Sequence, residues 1–330
     1  MAALKPDAGQ IRHFLEKLAN QDWVKRTERS WWPHFVFHYT HISNAVGVLQ
    51  DGFLYSRKHA EENNKLAISS GSSAILAGTD SSIKECVRLY FRPLTPTQFH
   101  AEGIRSSLAL VASKFPDAHC PVPVFFLFDS AQILARADCW FSDGGLGSPK
   151  ARRLSTAADL EALPWQRIYH TGWFDPHQED ITFRRSAEVV VLNSLDLSSL
   201  RYIFCRSEAE KETLLHLLPL KLRNKYRGKI VATSRTNLFF RKHTFVQTVR
   251  LSSRTADFHF SPDTASPGPF HLRIDLEVDD QKKYLEKKDM TANTTLSIPL
   301  GRPFSNYRIR LALDEYLTYA NSYEEVGVPF

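Results

Sequence analysis

The sequence predicts an α+β protein whose short helices and buried strands are followed by a mostly antiparallel β module. In residues 34–222, short amphipathic segments alternate with apolar runs of strand length. Beyond residue 223, apolar and polar residues alternate with period two, and helix signals almost vanish. A chain of 330 residues is long enough for two domains. We therefore predict an N-terminal helical segment (1–33), a central domain (34–222) and a C-terminal β-rich module (223–330).

The elements of the central domain follow from periodicity and from turn residues. An amphipathic helix is predicted over 10–20, and "PHFVFHYTH" reads as a strand that enters a helix capped by Ser43 or Asn44 and ended by Gly52. Residues 63–82 are rich in glycine and serine, which predicts a mobile loop, and the strand after them must stop at Pro93 and Pro96.

The same reasoning covers the rest of the central domain. A buried strand leads to a helix that begins near Asp129 or Ser130, and a glycine-rich loop follows from residue 140. Two strands are predicted within 186–207. A capping box of Ser207 and Glu210 then predicts the start of a helix that Pro219 ends.

Composition narrows the class of protein. The first residues lack the apolar core of a signal peptide, and no run of about 18 apolar residues predicts a transmembrane helix. The four cysteines are widely spaced and form no CxxC pair. Reduced thiols in a cytoplasmic protein are therefore expected, rather than a disulfide framework or a zinc site.

Positive charge is concentrated in one segment. Residues 221–254 hold ten lysines and arginines and no acidic residue, so the remaining chain has a net charge of −4 although the whole chain has +6. Such a segment suits a phosphate-facing surface, in which Lys225 and Arg227 are candidate contacts. A solvated basic linker is the alternative interpretation.

Four stretches carry polar or aromatic groups into apolar strands: "FHYTH" (37–41), "VRLYFRPLTPTQF" (87–99), "WFSDGG" (140–145) and "RRSAEVVV" (184–191). A carboxylate such as Glu188 beside an apolar run destabilises the fold unless it is solvated, is paired with a cation or has a functional role. Such groups on separate strands favour a cleft between two sheets. Common nucleotide-binding, zinc-protease and serine-hydrolase signatures are absent from the sequence.

These stretches resemble the DarT family of DNA ADP-ribosyltransferase toxins, the partners of DarG-type macrodomain antitoxins. The resemblance covers roughly residues 34–218 and rests on "HYTHISN", "YFRPLTPTQFHAEGIR", "FSDGG" and "RRSAEVVV" in this order and spacing. It implies an ADP-ribosyltransferase split β-sandwich with flanking helices. It also implies that NAD⁺ binds in the cleft as co-substrate, without a metal.

The resemblance also implies roles for individual residues. Glu188 matches the catalytic glutamate, His38 with Thr40 matches the anchor of the nicotinamide-side ribose and amide, and Tyr90 matches the aromatic residue that stacks on the nicotinamide ring. His38 and Tyr90 would thus bind NAD⁺ and serve catalysis. A carboxylate near the ribose suits this reaction, because cleavage of the glycosidic bond passes through an oxocarbenium-like state.

The family is also expected to use an arginine that binds NAD⁺, and here Arg57, Arg88 and Arg92 all remain possible. For Arg92, contact with the pyrophosphate of NAD⁺ or with the nucleic acid is the specific expectation.

Other residues are candidates for contact with nucleic acid. Arg184 and Arg185 are expected to contact substrate phosphates, or else to form a solvated basic patch. Trp140 and Phe141 are expected either to stack on an extruded base or to form a hydrophobic plug.

The predicted function is mono-ADP-ribosylation of a guanine or thymine base in single-stranded DNA, as a toxin or anti-phage effector with a macrodomain-type antitoxin. The string "FRPLTPTQF" differs from the "PRSPM" form common in the thymidine-modifying branch, which leaves the base open. The protein is expected to be a monomer that has no membrane partner. An enzyme acting on RNA or protein, and a non-catalytic nucleic-acid-binding module, are the alternatives.

Overall fold

The structure, a computed structural model, describes residues 3–26, 29–175, 177, 179–232, 237–279 and 281–325. The helices are α1 (Ala8–Ala19), α2 (Asp22–Lys25), α3 (Ile42–Asp51), α4 (Arg57–Glu62), α5 (Ser73–Ala77), α6 (Ser81–Lys84), α7 (Pro96–Ala101), α8 (Ser107–Val111), α9 (Ser130–Leu134), α10 (Ala157–Glu161), α11 (Trp165–Ile168), α12 (Glu179–Arg184), α13 (Glu208–Leu217) and α14 (Leu220–Tyr226), with a 3₁₀ turn at Trp32–His34. In the described ranges, no helix is long and apolar enough to cross a membrane.

The strands are β1 (Phe35–His41), β2 (Phe53–Tyr55), β3 (Cys86–Tyr90), β4 (Pro123–Asp129), β5 (Cys139–Ser142), β6 (Arg153–Leu154), β7 (Glu188–Leu192), β8 (Ser194–Asp196), β9 (Leu200–Cys205), β10 (Ile230–Ala232), β11 (Val246–Leu251), β12 (Thr255–Phe260), β13 (Phe270–Val278), β14 (Gln281–Met290), β15 (Thr295–Pro299), β16 (Asn306–Leu313) and β17 (Tyr316–Glu324). Helices and strands are thus mixed through the first two thirds of the chain, and strands dominate the last third. The predicted α+β class is confirmed.

The chain forms two compact units. The first comprises Met1–Phe99, Phe125–Ile203 and Thr236–Phe239, and the second comprises His100–Val124, Phe204–Arg235 and Phe240–Phe330. Each unit draws on separated parts of the sequence. The division predicted from the sequence, at residues 33/34 and 222/223, stays a prediction.

The first unit is built on one large sheet. Seven strands that lie wholly or mainly in this unit follow the order β9-β4-β1-β3-β7-β5-β6, and β2 pairs with β8 beside them. The middle strands are apolar: Val189, Val190 and Val191 of β7 are fully buried, and so is most of β4. A charged residue on these strands is therefore costly and must find a partner.

Two strand pairings define the site. β1 and β3 are antiparallel and meet at the register pair Phe37–Tyr90. β3 and β7 are antiparallel over five pairs, the last of which sets Tyr90 opposite Glu188. Tyr90 thus lies beside both neighbouring strands, and the predicted residues of β1, β3 and β7 reach one part of the sheet.

The second unit contains the predicted C-terminal antiparallel module, which is confirmed. Strands β11-β12-β15 form one sheet and β14-β13-β16-β17 form another. In both sheets the neighbouring strands pair antiparallel. Alternate residues such as Phe258, Leu272, Leu311 and Tyr319 are fully buried and form its core. This burial explains the period-two pattern of the sequence.

Helix ends confirm some local predictions and correct others. Helix α1 is close to the predicted 10–20 helix, and Gly52 ends α3 in the left-handed region with φ 77°. The predicted cap of α3 is wrong, because His41 is the N-cap and its Nδ1 accepts a hydrogen bond from Ser43 N at 3.2 Å. Ser207 does cap α13, but the Glu210 carboxylate accepts from Arg206 N instead of completing a capping box.

Two segments contain more regular structure than the sequence predicted. Residues 63–82 hold the short helix α5 and the start of α6, which is capped by Asp80, whose side chain accepts from Ser82 N at 2.8 Å. Three strands, β7 to β9, occupy 188–205 where two were predicted. Short polar elements stabilised by caps and by tertiary pairing leave a weak periodic signal.

Candidate active site

Glu188 is the first residue of β7 and is almost completely buried, with 1% of its surface exposed. The run Val189–Val191 after it packs in the core, and pairing with β3 and β5 holds both edges of the strand. The fold therefore presents a carboxylate at the end of a rigid apolar strand. Such a group requires charge compensation.

Arg88 supplies that compensation. It precedes Tyr90 by two residues on β3 and so lies on the same face of the sheet as Tyr90 and its partner Glu188. Its Nε donates to Glu188 Oε2 at 2.5 Å and its Nη2 donates to Oε1 at 2.7 Å, a bidentate ion pair. Burial opposes the charge on Arg88, but the attraction of Glu188 outweighs it and raises the pKa of the guanidinium.

The loop after β5 holds Glu188 from the other side. Leu146 N donates to Glu188 Oε1 at 2.9 Å, and Glu188 N donates to Ser142 Oγ at 3.1 Å. Ser142 Oγ donates in turn to Gly144 O at 2.7 Å. Oε1 thus accepts from Arg88 and Leu146 and Oε2 accepts from Arg88, so Oε2 keeps capacity for a further donor.

His38 is neutral and has a defined tautomer. Burial lowers its pKa to about 4, against the opposing effect of a hydrogen bond with the Arg88 carbonyl. The ring Nδ1 lies 3.1 Å from Arg88 O. Because a carbonyl oxygen only accepts, Nδ1 carries the proton and Nε2 is left as an acceptor.

Tyr90 and Thr40 differ in their surroundings. Burial, and then the charge of Glu188, raise the pKa of Tyr90, so its phenol stays protonated near neutral pH. Thr40 is 8% exposed, and its Oγ1 accepts from Asn44 Nδ2 at 3.2 Å. The structure thus brings Tyr90 and Glu188 together beside the Arg88 side chain, and His38 contacts the backbone carbonyl of Arg88, whereas Thr40 is engaged by the start of α3.

The three candidate arginines lie in different places. Arg88 lies at the site, whereas Arg57 pairs with Glu61 at 2.7 Å and donates to Ser69 Oγ at 2.9 Å near the surface. Arg92 is fully buried and donates to backbone carbonyls of Pro93, Ile168 and His170. Contact of Arg57 or Arg92 with NAD⁺ stays a prediction, and these surroundings do not favour it.

Asp143 organises the residues around the loop that follows β5. It is almost buried, and it accepts from Arg184 Nη1 at 2.7 Å and from Arg152 Nε at 2.8 Å. Burial by itself would raise the pKa of the Asp143 carboxylate. The hydrogen bonds from Arg152 and Arg184 outweigh this effect, so the pKa of Asp143 is lowered. Arg184 also reaches Asp180 on its own helix at 3.1 Å. We name residues 143–152 the acidic-hinge loop after this aspartate.

Gly144 in the acidic-hinge loop packs against α12. A Cβ atom at this position would lie 2.2 Å from the ring of Phe183. No side chain fits there, so the loop approaches α12 through its bare backbone.

Trp140 and Phe141 are buried, with 5% and 0% of their surfaces exposed. Trp140 packs with Cys86 and Val190, and Phe141 lies 6.0 Å from the ring of Phe91. These surroundings favour the hydrophobic-plug interpretation over base stacking.

Sequence reasoning missed Trp173, which is 86% exposed and follows Gly172 at φ +90°. A tryptophan directly after a glycine in the polar stretch "TGWFDPH" was the available signal. Arg185 lies near this segment, with its guanidinium 4.9 Å from the Phe174 ring and its Nη2 donating to Leu94 O at 2.9 Å.

The remaining candidates belong to the basic segment. Lys225 and Arg227 are exposed at the end of α14 in the second unit. Arg235 lies outside the described residues. Within the part of the chain that the structure describes, no group of three metal-ligating side chains could hold a metal ion.

Comparison with known proteins gives one family and several solved structures. The family model described as "DarT: ssDNA thymidine ADP-ribosyltransferase" matches residues 37–240. Thermus sp. 2.9 DarT in complex with ADP-ribosylated ssDNA is 19% identical with a TM-score of 0.49, over 63% of this chain and 97% of that chain. The same Thermus protein in complex with NAD⁺ is 18% identical with a TM-score of 0.47, over 63% and 98%.

Thermosipho africanus DarTG in complex with ADP-ribose is 15% identical with a TM-score of 0.46, over 66% of this chain and 53% of that chain. No curated protein matches the chain.

Proposed function

Because the chain belongs to the DarT family of single-stranded-DNA ADP-ribosyltransferases, as its motifs predicted, we propose that it transfers ADP-ribose from NAD⁺ to a nucleobase in single-stranded DNA. The observation that carries this proposal is the buried carboxylate of Glu188, which Arg88 and Leu146 N hold at the end of β7 opposite Tyr90. A buried carboxylate requires compensation of this kind, and the same contacts fix its geometry.

In the proposed reaction the bond between the nicotinamide nitrogen and ribose C1′ breaks, and its electron pair leaves with nicotinamide. A base nitrogen then bonds to C1′ and loses a proton to a general base or to water. Positive charge develops on the ribose as the first bond breaks, and a fixed carboxylate near the ribose stabilises it. Glu188 is proposed to supply this carboxylate, and its Oε2 is proposed to accept a hydrogen bond from a ribose hydroxyl.

The other residues are proposed to orient NAD⁺. His38 Nε2 is an acceptor at neutral pH, so it can bind a ribose hydroxyl or the amide N–H of nicotinamide. The ring of Tyr90 offers an aromatic face for the cationic nicotinamide ring. Arg88 acts through Glu188, because both bonds that it donates there fix the carboxylate.

The acceptor base is proposed to be thymine or guanine. The family description names thymidine, whereas the string "FRPLTPTQF" departs from the form common in the thymidine-modifying branch. An unpaired strand suits this chemistry, because a base can enter a cleft without the cost of leaving a duplex. The exposed Lys225 and Arg227 are proposed to contact phosphates of that strand.

The biological role follows from the chemistry as a proposal. A bulky group on a template base would block replication, so the protein would act as a toxin or an anti-phage effector. A macrodomain-type antitoxin that removes the group is the proposed partner. The cytoplasmic location and the monomeric state remain predictions from the sequence.

The test is to incubate the protein with NAD⁺ and single-stranded oligonucleotides that each contain one thymine or one guanine, and to weigh the products. We expect a mass gain of one ADP-ribose unit on one of the two oligonucleotides. Glu188→Gln should lower kcat by at least about 100-fold, because a charge that stabilises the transition state is lost. Glu16→Gln removes an exposed carboxylate of α1 and should leave the rate unchanged.

The outcomes separate the alternatives. Labelling of RNA or protein but not DNA would support the proposed NAD⁺ site and would replace DNA as the acceptor. No labelling of any acceptor, with oligonucleotide binding intact, would favour the non-catalytic module. Full activity of Glu188→Gln would overturn the role of the carboxylate.

A further inference from the structure

Strand β14 of the C-terminal module lies at the edge of its sheet. The sheet order is β14-β13-β16-β17, so within the ranges that the structure describes β14 pairs with β13 alone. Nine of its ten residues, 281–289, are exposed. The family match ends at residue 240, before β11 begins this module. Backbone donors and acceptors on the outward side of an edge strand can pair with another chain.

The core-facing side of β14 extends beyond the hydrophobic core of the module. Register pairs place Lys283, Leu285 and Lys287 opposite residues of β13 that face this core. Leu285 lies directly opposite Ile274, yet 44% of Leu285 is exposed and only 3% of Ile274. The core therefore ends at β13, and Leu285 keeps apolar surface in solvent that a neighbouring strand could cover.

Four lysines of β14 lack an ion-pair partner in the fold. They are Lys282, Lys283, Lys287 and Lys288, which we name the β14 lysines. In the part of the chain that the structure describes, none of them forms an ion pair or donates a side-chain hydrogen bond. Glu286 lies between them but pairs with Arg273 of β13 at 3.7 Å. Lysines on an edge strand hinder pairing with a neutral or basic strand, but they attract an acidic one.

Two copies of this chain are poor partners for each other at this edge. With four lysines and two acidic residues, β14 has a net charge of +2, so two copies would bring charges of the same sign together. Antiparallel pairing centred on Leu285 would also set Lys283 of one copy opposite Lys287 of the other. Like charges directly opposite each other destabilise a strand pair. A partner strand of opposite charge is therefore favoured.

The outer face of β14 does not suit a phosphate chain. Tyr284 lies on this face and is 71% exposed. Its register partner on β13 is Asp275, and Glu277 follows on the same face of the sheet. A nucleic-acid strand laid across this face would meet these carboxylates. A peptide strand instead alternates its side chains between both faces, so it reaches lysines on either side of β14.

We propose that β14 binds an extended acidic segment of a partner protein, which adds to this edge as an antiparallel strand. The regular ladder with β13 covers residues 281–287, because the register shifts before Met290. The partner segment therefore spans about seven residues. Its acidic side chains lie opposite Lys282, Lys283 and Lys287, and an apolar side chain covers Leu285. Main-chain hydrogen bonds supply affinity in this mode of recognition, and the side chains supply selectivity.

The test uses a synthetic peptide, Glu-Lys-Val-Thr-Glu-Glu-Thr with blocked ends, written to lie antiparallel to residues 287–281. Amide hydrogen exchange of β14 is measured in the full chain with and without the peptide. At about ten times its Kd, the peptide should slow exchange of the outward-pointing amides of β14 about tenfold. The control peptide has proline in place of valine. It keeps the charge but cannot pair as a strand, and it should protect none of these amides.

A charge reversal tests the pairing of individual side chains. Lys283→Glu should weaken binding of the peptide about tenfold, because an opposite-charge pair becomes a like-charge pair. A peptide with lysine at its fifth position, opposite residue 283, should restore binding to this variant. Lys25→Glu makes the same change at an exposed position of α2 and should alter Kd by less than about twofold. Lys287→Glu, with lysine at the first position of the peptide, carries the test if Lys283→Glu fails to fold.

Four outcomes would each overturn the proposal. The first is that the peptide does not bind, which would leave the lysines as guards of the edge. The second is equal protection by the proline peptide, which would reduce the contact to attraction between charges. The third is protection of β14 that rises with protein concentration alone, which would make a second copy the occupant. The fourth is equal protection by a single-stranded oligonucleotide, which would make nucleic acid the occupant.

The proposed strand addition does not depend on ADP-ribosyl transfer. If the protein binds the peptide but modifies no acceptor, the enzymatic function fails and the docking edge stands. If the protein modifies DNA and ignores the peptide, the docking edge fails and the enzymatic function stands.

Discussion

The pairing of Arg88 with Glu188 decides what the carboxylate can do. Two donors from one guanidinium and one from Leu146 N fix both oxygens, so the group is oriented before any substrate arrives. Preorganised charge of this kind stabilises a transition state without reorganisation. At the residue scale, Arg88 is thus a positioning residue and Glu188 is the proposed catalytic one.

Arg88→Gln should destabilise the protein by about 3 kcal/mol, because it leaves a carboxylate with 1% exposure without its counter-ion. Denaturant unfolding of the two proteins measures the difference. Arg57→Gln is the matched control, since its partner Glu61 is half exposed and surface pairs contribute less than about 1 kcal/mol. Equal losses in the two variants would contradict a structural role for the buried pair.

The sequence named His38, Tyr90 and Glu188 as site residues because its motifs resemble those of a family with such a set, and their roles stay a prediction. It could not predict that Arg88 pairs with Glu188, because this contact depends on the register of β3 against β7. A shift of one residue would turn every side chain of a strand to the other face. Thr40 is a second contact that the sequence could not predict, since its hydroxyl accepts a hydrogen bond from Asn44.

At the scale of elements, the acidic-hinge loop links the site to α12. Asp143 binds Arg184 of α12 and Arg152 at the far end of the loop, while Leu146 of the same loop binds Glu188. A displacement of α12 is therefore expected to reach the carboxylate through the loop. The glycine-rich composition predicted a loop here, but only the fold shows that Gly144 is required by close packing on Phe183.

Gly144→Ala should lower kcat/KM by about tenfold or more and cost about 1–3 kcal/mol of stability, since the new methyl group overlaps the Phe183 ring and overpacks the contact. Rate assays and thermal unfolding measure both effects. Gly147→Ala is the control in the same loop, because its Cβ would lie at an ordinary 3.8 Å from Ile75. Rescue of Gly144→Ala by Phe183→Leu would confirm the steric origin, and a wild-type rate for the single variant would refute it.

Helix ends were the least predictable elements. His41 caps α3 although serine and asparagine were the expected caps, because the chain enters the helix from β1 two or three residues earlier than the polar residues suggest. Helices α5 and α6 have five and four residues, too few for a periodic pattern to indicate them. Strong alternation made the C-terminal strands the most predictable part of the chain.

At the scale of the whole molecule, three histidines tie stability to pH: His41 is buried, and His38 and His243 are partly buried. Burial lowers the pKa of His38, His41 and His243 to about 4 each. An unfolded histidine has a pKa near 6.5, so below that value the unfolded chain binds protons that the folded chain does not. Stability should therefore fall as the pH falls from about 6.5 towards about 4, in both compact units.

His41→Asn isolates one of these groups, because asparagine is a favoured N-cap and does not titrate. Between pH 7.5 and 4.5 the wild-type free energy of unfolding should fall by about 2.5 kcal/mol more than that of the variant, since at pH 4.5 the unfolded histidine is charged and the folded one is mostly neutral. Urea unfolding at both pH values measures this difference of differences, so a constant cost of the substitution cancels. Identical pH dependence in the two proteins would mean that His41 has the same pKa in the folded and unfolded chains, and would contradict its buried position at the start of α3.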